Sequence, residues 1–200
     1  MRLLLDNKPK QYNHWEVDKN NADEHTIKAC NFLGMKGNIR SIETSNNEIL
    51  SLLDKYSGID LINIDDDCGR MFGMAVRIQP IEKQYKPWNT FTIRYERHTG
   101  TKTEYIKRTE AIKNEDFYPK YTIQAYTKNG EIVSAAIIMT KQLYEFIDEY
   151  INTDLVEIKT SDNSFLVVKW QDIIDKNFIM ITNPGIKKIE QNTEHNWFGI

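Results

Sequence analysis

Asp60 stands two residues after Gly58, inside the apolar run Ile59-Asp60-Leu61-Ile62-Asn63-Ile64. A carboxylate there reaches the end or edge of a sheet, and hard divalent cations such as Mg²⁺ take oxygen ligands. Read alone, Asp60 is first an acid that caps a turn, and its context must make the case for a metal. Further along, Arg77 and Gln79 alternate with Val76 and Ile78. Alternation places both polar side chains on one face of a strand.

A second kind of chemistry lies in the charge distribution. Between Arg77 and Arg108 there are eight bases, Arg77, Lys83, Lys86, Arg94, Arg97, Lys102, Lys107 and Arg108, against Glu82, Glu96 and Glu104. This excess of five sits in a chain whose net charge is -3, so the remainder carries -8. A basic surface on an otherwise acidic protein suits phosphate, because bound nucleic acid is held largely by Lys and Arg. An acidic protein partner fits the same patch, and so does a merely solvated basic face. Around Gly100, Thr92 to Arg108 interleaves bases, aromatics and hydroxyls. Phosphates are gripped in such settings by arginine forks and by a helix N-terminus, here near Thr103. His98 is the one histidine in this segment and has two readings, surface residue and general base.

The elements that must position these residues follow from hydrophobic spacing. Ala22 to Leu33 reads as a helix capped by Asn21 or Asp23, and Asn46 to Lys55 as a second, stopped by Gly58. Strands are expected over 59–64, 72–79 and 89–95, forming a three-stranded meander whose first turn is Asp65-Asp66-Asp67-Cys68-Gly69. That acidic turn suits solvent and lacks the ligand pattern of a calcium loop. A short helix over 103–113 is expected to expose Lys107 and Arg108. The segment 121–127, Lys128-Asn129-Gly130, then 131–139 is a hairpin signal, since Asn-Gly supplies the positive φ angles of a tight turn. A helix over 141–150 and a strand over 165–169 complete the series, so the fold class is mixed α/β or α+β.

Composition narrows the function. Two hundred residues with 40% hydrophobic and 28% charged side chains, 9 Gly and 5 Pro describe a packed chain, read as one domain over 1–200 with an irregular arm at 1–20 and a tail at 183–200. The longest apolar stretches reach strand length only, so no membrane partner is expected, and Met1 to Asp6 carries no signal-peptide pattern. Cys30 and Cys68 form no Cys-x-x-Cys pair, and His14, His25 and His195 form no zinc pattern; a reducing cytoplasm is the expected compartment. Abundant Asn, Lys and Ile fit an AT-rich genome, such as that of a bacterium or its phage. Neither a phosphate-binding G-x-x-x-x-G-K-[ST] loop nor a nucleophile elbow is present.

A strand-borne acid, then two polar residues at i and i+2 of the next strand, with a helix before and a basic helix after, resembles the PD-(D/E)XK restriction-endonuclease-like superfamily. The likeness extends over 22–150. It implies a central mixed sheet flanked by helices and Mg²⁺- or Mn²⁺-dependent hydrolysis of DNA, and it permits a homodimer. In such enzymes acids on the hairpin strands hold the metal, and the lysine of the last motif orients the attacking water. By position Asp60 takes the place of the metal-binding Asp, Arg77 that of the second acid, Gln79 that of the lysine, and Glu24 that of an acid some members carry on the first helix. Asp60 and Glu24 are then the metal ligands, and Arg94, Arg97, Lys102, Lys107 and Arg108 the phosphate contacts.

Arginine at the second-acid position departs from the family, for it puts a cation where a metal ligand belongs. Three readings follow. The second carboxylate comes from Asp65, Asp66, Asp67 or Glu96; or Ala75 and Arg77 are the motif register, with Arg77 in the lysine's place; or the fold is kept without cleavage, as a nucleic-acid-binding or protein-binding module.

Overall fold

The computed structural model describes residues 24–42, 48–64, 69–81, 86–97, 99–160, 163–176, 178 and 180–183. The expected arm, the caps Asn21 and Asp23, the acidic turn 65–68, His98 and the tail beyond 183 lie outside these residues. In chain order come helix α1 (24–32), β1 (Asn38–Ser41), α2 (Glu48–Ser57), β2 (Leu61–Ile64), β3 (Met71–Pro80), β4 (Thr90–Arg97), α3 (Glu104–Asn114), β5 (Tyr121–Lys128), β6 (Glu131–Met139), α4 (Thr140–Tyr150), β7 (Val156–Thr160), β8 (Asn163–Lys169), α5 (Trp170–Asp175) and β9 (Met180–Asn183). The class is mixed α/β, as the spacing predicted.

Two sheets form. A central sheet has the order β1-β2-β3-β5-β6-β9, and a smaller one has the order β4-β8-β7. The central sheet is mixed: β3 and β5 run parallel, with Arg77 opposite Gln124 and Gln79 opposite Tyr126, while its other pairs are antiparallel. A parallel pair needs a long crossover, and the chain from β3 to β5 supplies it through β4 and α3. β5 is buried along nearly its whole length, as a central strand covered on both faces must be.

The expected meander is corrected here. Its third strand, β4, leaves the central sheet and pairs with β8. The true third member is β1, a four-residue strand with one large apolar residue, Ile39, too short to announce itself by alternation. Pro80 closes β3 and has no N–H to continue a ladder. Asn89 then turns with φ +53°, and the buried Tyr126 hydroxyl anchors the new strand. That hydroxyl donates to the Thr90 carbonyl at 3.0 Å and accepts from the Thr90 N–H at 3.1 Å.

Alternation along the central strands divides the core. Met74, Val76, Ile78, Ile123, Ala125 and Ile137 pack with Ala29 and Cys30 of α1 and with Leu33 just after it. Tyr126, Ala136 and Ile138 belong to the other face and pack with Phe91, Ile93, Leu166 and Val168 of the small sheet and with Leu143, Tyr144, Phe146 and Ile147 of α4. The helical stripe expected in 141–150 is therefore the buried face of α4. The Asn-Gly hairpin forms as expected, with φ +53° at Asn129 and +78° at Gly130.

Candidate functional site

Asp60 precedes β2 and ties it to β3. Its N–H donates to the Met74 carbonyl at 2.9 Å, and its Oδ2 accepts the Val76 N–H at 2.7 Å. The carboxylate thus satisfies a backbone donor at the strand entrance. Arg77 and Gln79 share the β3 face turned away from α1, as alternation requires, and both line a cleft of about 870 Å³ between β3 and the small sheet.

Next to Arg77 the sequence hides a heavily engaged acid. Glu104, in the first turn of α3, reads as an ordinary acid at a helix start, where the dipole welcomes it. Folding brings three arginines to it. Arg77 Nη2 donates to Oε2 at 2.8 Å, Arg108 Nη1 donates to Oε1, and the Arg94 backbone N–H approaches Oε2 at 3.4 Å. Burial pushes the Glu104 carboxyl up, but the Arg108 and Arg77 guanidiniums and the Arg94 N–H outweigh it, leaving its pKa below the ordinary value.

Arg108 corrects an expectation. It lies on the inward side of α3 with 2% of its surface exposed, and its second nitrogen donates to the Gly58 carbonyl at 3.1 Å. It is a structural link between α3 and the entry to β2, not a surface phosphate contact. The helical spacing that placed it beside Lys107 on the open face misassigned it, because Glu104 one turn earlier draws it inward. Its charge is held by Glu104 against the opposing cost of burial.

Arg94 differs. It is half-buried, its Nε has no hydrogen-bond partner, and burial followed by repulsion from Arg97 and Arg77 lowers its pKa. An arginine remains charged through such a shift. Its guanidinium and that of Arg77 each lie 5.6 Å from the Phe165 ring centre, within cation–π range. The other expected phosphate contacts are dispersed. Arg97 is exposed and donates to the Thr101 hydroxyl at 3.4 Å, Lys102 is ion-paired with Glu110, and Lys107 is half-buried on α3.

The residues present do not fit the implied Mg²⁺ or Mn²⁺ site. Glu24 is on α1, which covers the face of the sheet opposite to Arg77 and Gln79, and its carboxylate pairs with Lys28 at 2.8 Å. Glu104 is occupied by guanidiniums, and Asp60 has the Val76 amide on Oδ2 and the Arg108 charge nearby. Glu96, a substitute considered for the second acid, sits on β4 and accepts from the Ser164 hydroxyl at 3.0 Å. Among the described residues no three His, Cys, Asp or Glu side chains converge as metal ligands.

Sequence reasoning also missed the cleft's aromatics and its far wall. Trp88, half-exposed, and Phe165 both line it, and Lys159 and Lys169 come from β7 and β8. Trp88 lay in a proline-containing loop and the others in strands distant in sequence, so only the pairing of β4 with β8 brings them to Arg77. Comparison with protein-family models, with curated proteins and with solved structures returns no match. Among the described residues no helix is long and apolar enough to cross a membrane.

Proposed function

We propose that this chain is a restriction-endonuclease-like protein whose catalytic position is rebuilt as an ion-pair cluster, and that it binds nucleic acid without cleaving it. The observation that carries this reading is the division of charge around Glu104. Arg77, at the second-acid position, and Arg108 take that carboxylate, leaving Arg94 as a guanidinium without an ion pair among the described residues, beside Phe165, which lines the cleft. A second acid is thereby replaced by cations, which attract phosphate where a nuclease would attract a metal. The element order supports the fold: α1, the antiparallel β1-β2-β3, the crossover through α3 and the parallel β5, with Asp60 entering β2 and the Arg77/Gln79 pair on β3. Aromatic faces beside the arginines favour nucleic acid over an acidic protein, since bases stack on such faces.

The test joins binding to cleavage. Plasmid DNA is incubated with protein and Mg²⁺ or Mn²⁺, beside EDTA controls and the Asp60→Asn protein, and labelled oligonucleotides are shifted at about 50 and about 200 mM salt. The expected result is salt-sensitive binding with intact plasmid in every lane. Metal-dependent nicking that disappears in Asp60→Asn would establish hydrolysis instead, and absence of binding at either salt would remove the nucleic-acid reading.

A further inference from the structure

We infer that the cleft between β3 and the small sheet receives an unpaired base of the bound nucleic acid, while the sugar-phosphate chain stays at its mouth; this rests on the nucleic-acid reading above. Size is the first ground. About 870 Å³ falls in the range of roughly 300–1,000 Å³ that encloses a small organic ligand. A nucleotide is of the size that such a space takes, whereas the bases of a duplex stay paired and stacked unless one is extruded.

Charge is the second ground. The cleft wall carries Arg77, Lys159 and Lys169 but also Asp154, Glu157 and Asp172. A phosphate run threaded inside would meet three carboxylates. A neutral heterocycle meets a balanced lining, and Arg94, which has no ion pair among the described residues, lies beside Phe165, where a phosphate would pass.

Chemistry is the third. Trp88 presents an indole that is 49% exposed and stands at 84° to the Tyr126 ring, 6.3 Å between centres. A rigidly seated, half-open aromatic is a stacking surface. On β3, the Gln79 amide lines the same cleft, and its buried Oε1 has no partner among the described residues. A glutamine amide offers an acceptor beside donors, the complement of a base edge.

Three labelled probes of one sequence test this: a perfect duplex, the same duplex with a single-nucleotide bulge, and that bulge made abasic. The bulged probe should bind about five- to hundredfold more tightly than the duplex, the range that aromatic stacking of one base provides, and the abasic probe should lose the gain. In Trp88→Ala and Gln79→Ala, and in Trp88→Leu as a check on folding, the ratio of bulged to duplex affinity should fall to about one. Equal affinity of wild-type protein for bulge and duplex, or a ratio that survives these substitutions, would overturn the inference while leaving nucleic-acid binding in place. Failure to bind any of the three probes would overturn both.

Discussion

Replacing Glu104 by Gln keeps the shape of the side chain and removes the anion on which the arginine cluster depends. Arg108, 3% exposed at its side chain, would keep the Gly58 carbonyl and the Tyr144 hydroxyl but lose its neutralising carboxylate, with its Nε already unpartnered among the described residues. Removing one partner of a buried ion pair costs about 3–5 kcal/mol. Two features reduce that figure: Glu104 and Arg77 are 20% and 29% exposed at their side chains, so water screens their pairing, and glutamine still accepts one hydrogen bond. The expected loss is about 2–4 kcal/mol, a large share of the roughly 5–15 kcal/mol that holds a domain folded. Urea denaturation at neutral pH should show a midpoint lower by on the order of 1 M.

The same variant fixes the sign of a pH effect. Folding depresses the Glu104 pKa below its ordinary 4.5, so its stabilisation is fully present above that value and is lost as pH falls through the folded pKa. The gap between wild type and Glu104→Gln should therefore hold constant from pH 7 to about 5 and narrow below that. A gap under about 0.5 kcal/mol at neutral pH, typical of an unengaged surface site, would refute the reasoning, as would a gap that widens on acidification.

Two further experiments probe the frame around the site. Gly37 has φ +107°, and a Cβ there would lie 2.5 Å from Asn63 Oδ1 and 2.9 Å from the Ile64 carbonyl, whereas Gly34 at φ +75° has open space. Gly37→Ala should cost about 2 kcal/mol or more through backbone strain and the clash, lowering the melting temperature by more than Gly34→Ala does; equal shifts would contradict the contact. Burial pushes the Cys30 thiol up to about 12. In a Cys68→Ser background it should resist a thiol reagent at pH 8 until denaturant is added, and prompt labelling of the native protein would show that the face of the sheet packed by α1 opens.

Local structure was legible where a rule operates within a few residues. The Asn129-Gly130 turn, the stripe of α4 and the alternation of β3 fixed those elements and the common face of Arg77 and Gln79. Partnership between distant segments was not legible. β4 has the alternation of a meander strand, and nothing near it in sequence says that β8, some seventy residues on (Ile93 faces Leu166), is its partner. β1, β7, α5 and β9 are short and carry weak patterns. Charge counting found the basic segment but treated its members alike. The fold separates them, burying Arg108, pairing Arg77 and Lys102, and leaving Arg94 against the Phe165 ring. Glu104, the residue that does the separating, looked like any acid at a helix N-terminus.

The account turns on Arg94 as a phosphate contact. Oligonucleotide affinity measured across a salt series, in wild type and in Arg94→Gln, tests it most directly. The wild-type protein should give a linear fall of log affinity with log salt, and the variant a slope smaller by about one with its melting temperature nearly unchanged. Parallel lines of equal slope, or no measurable affinity in the wild-type protein, would contradict the claim.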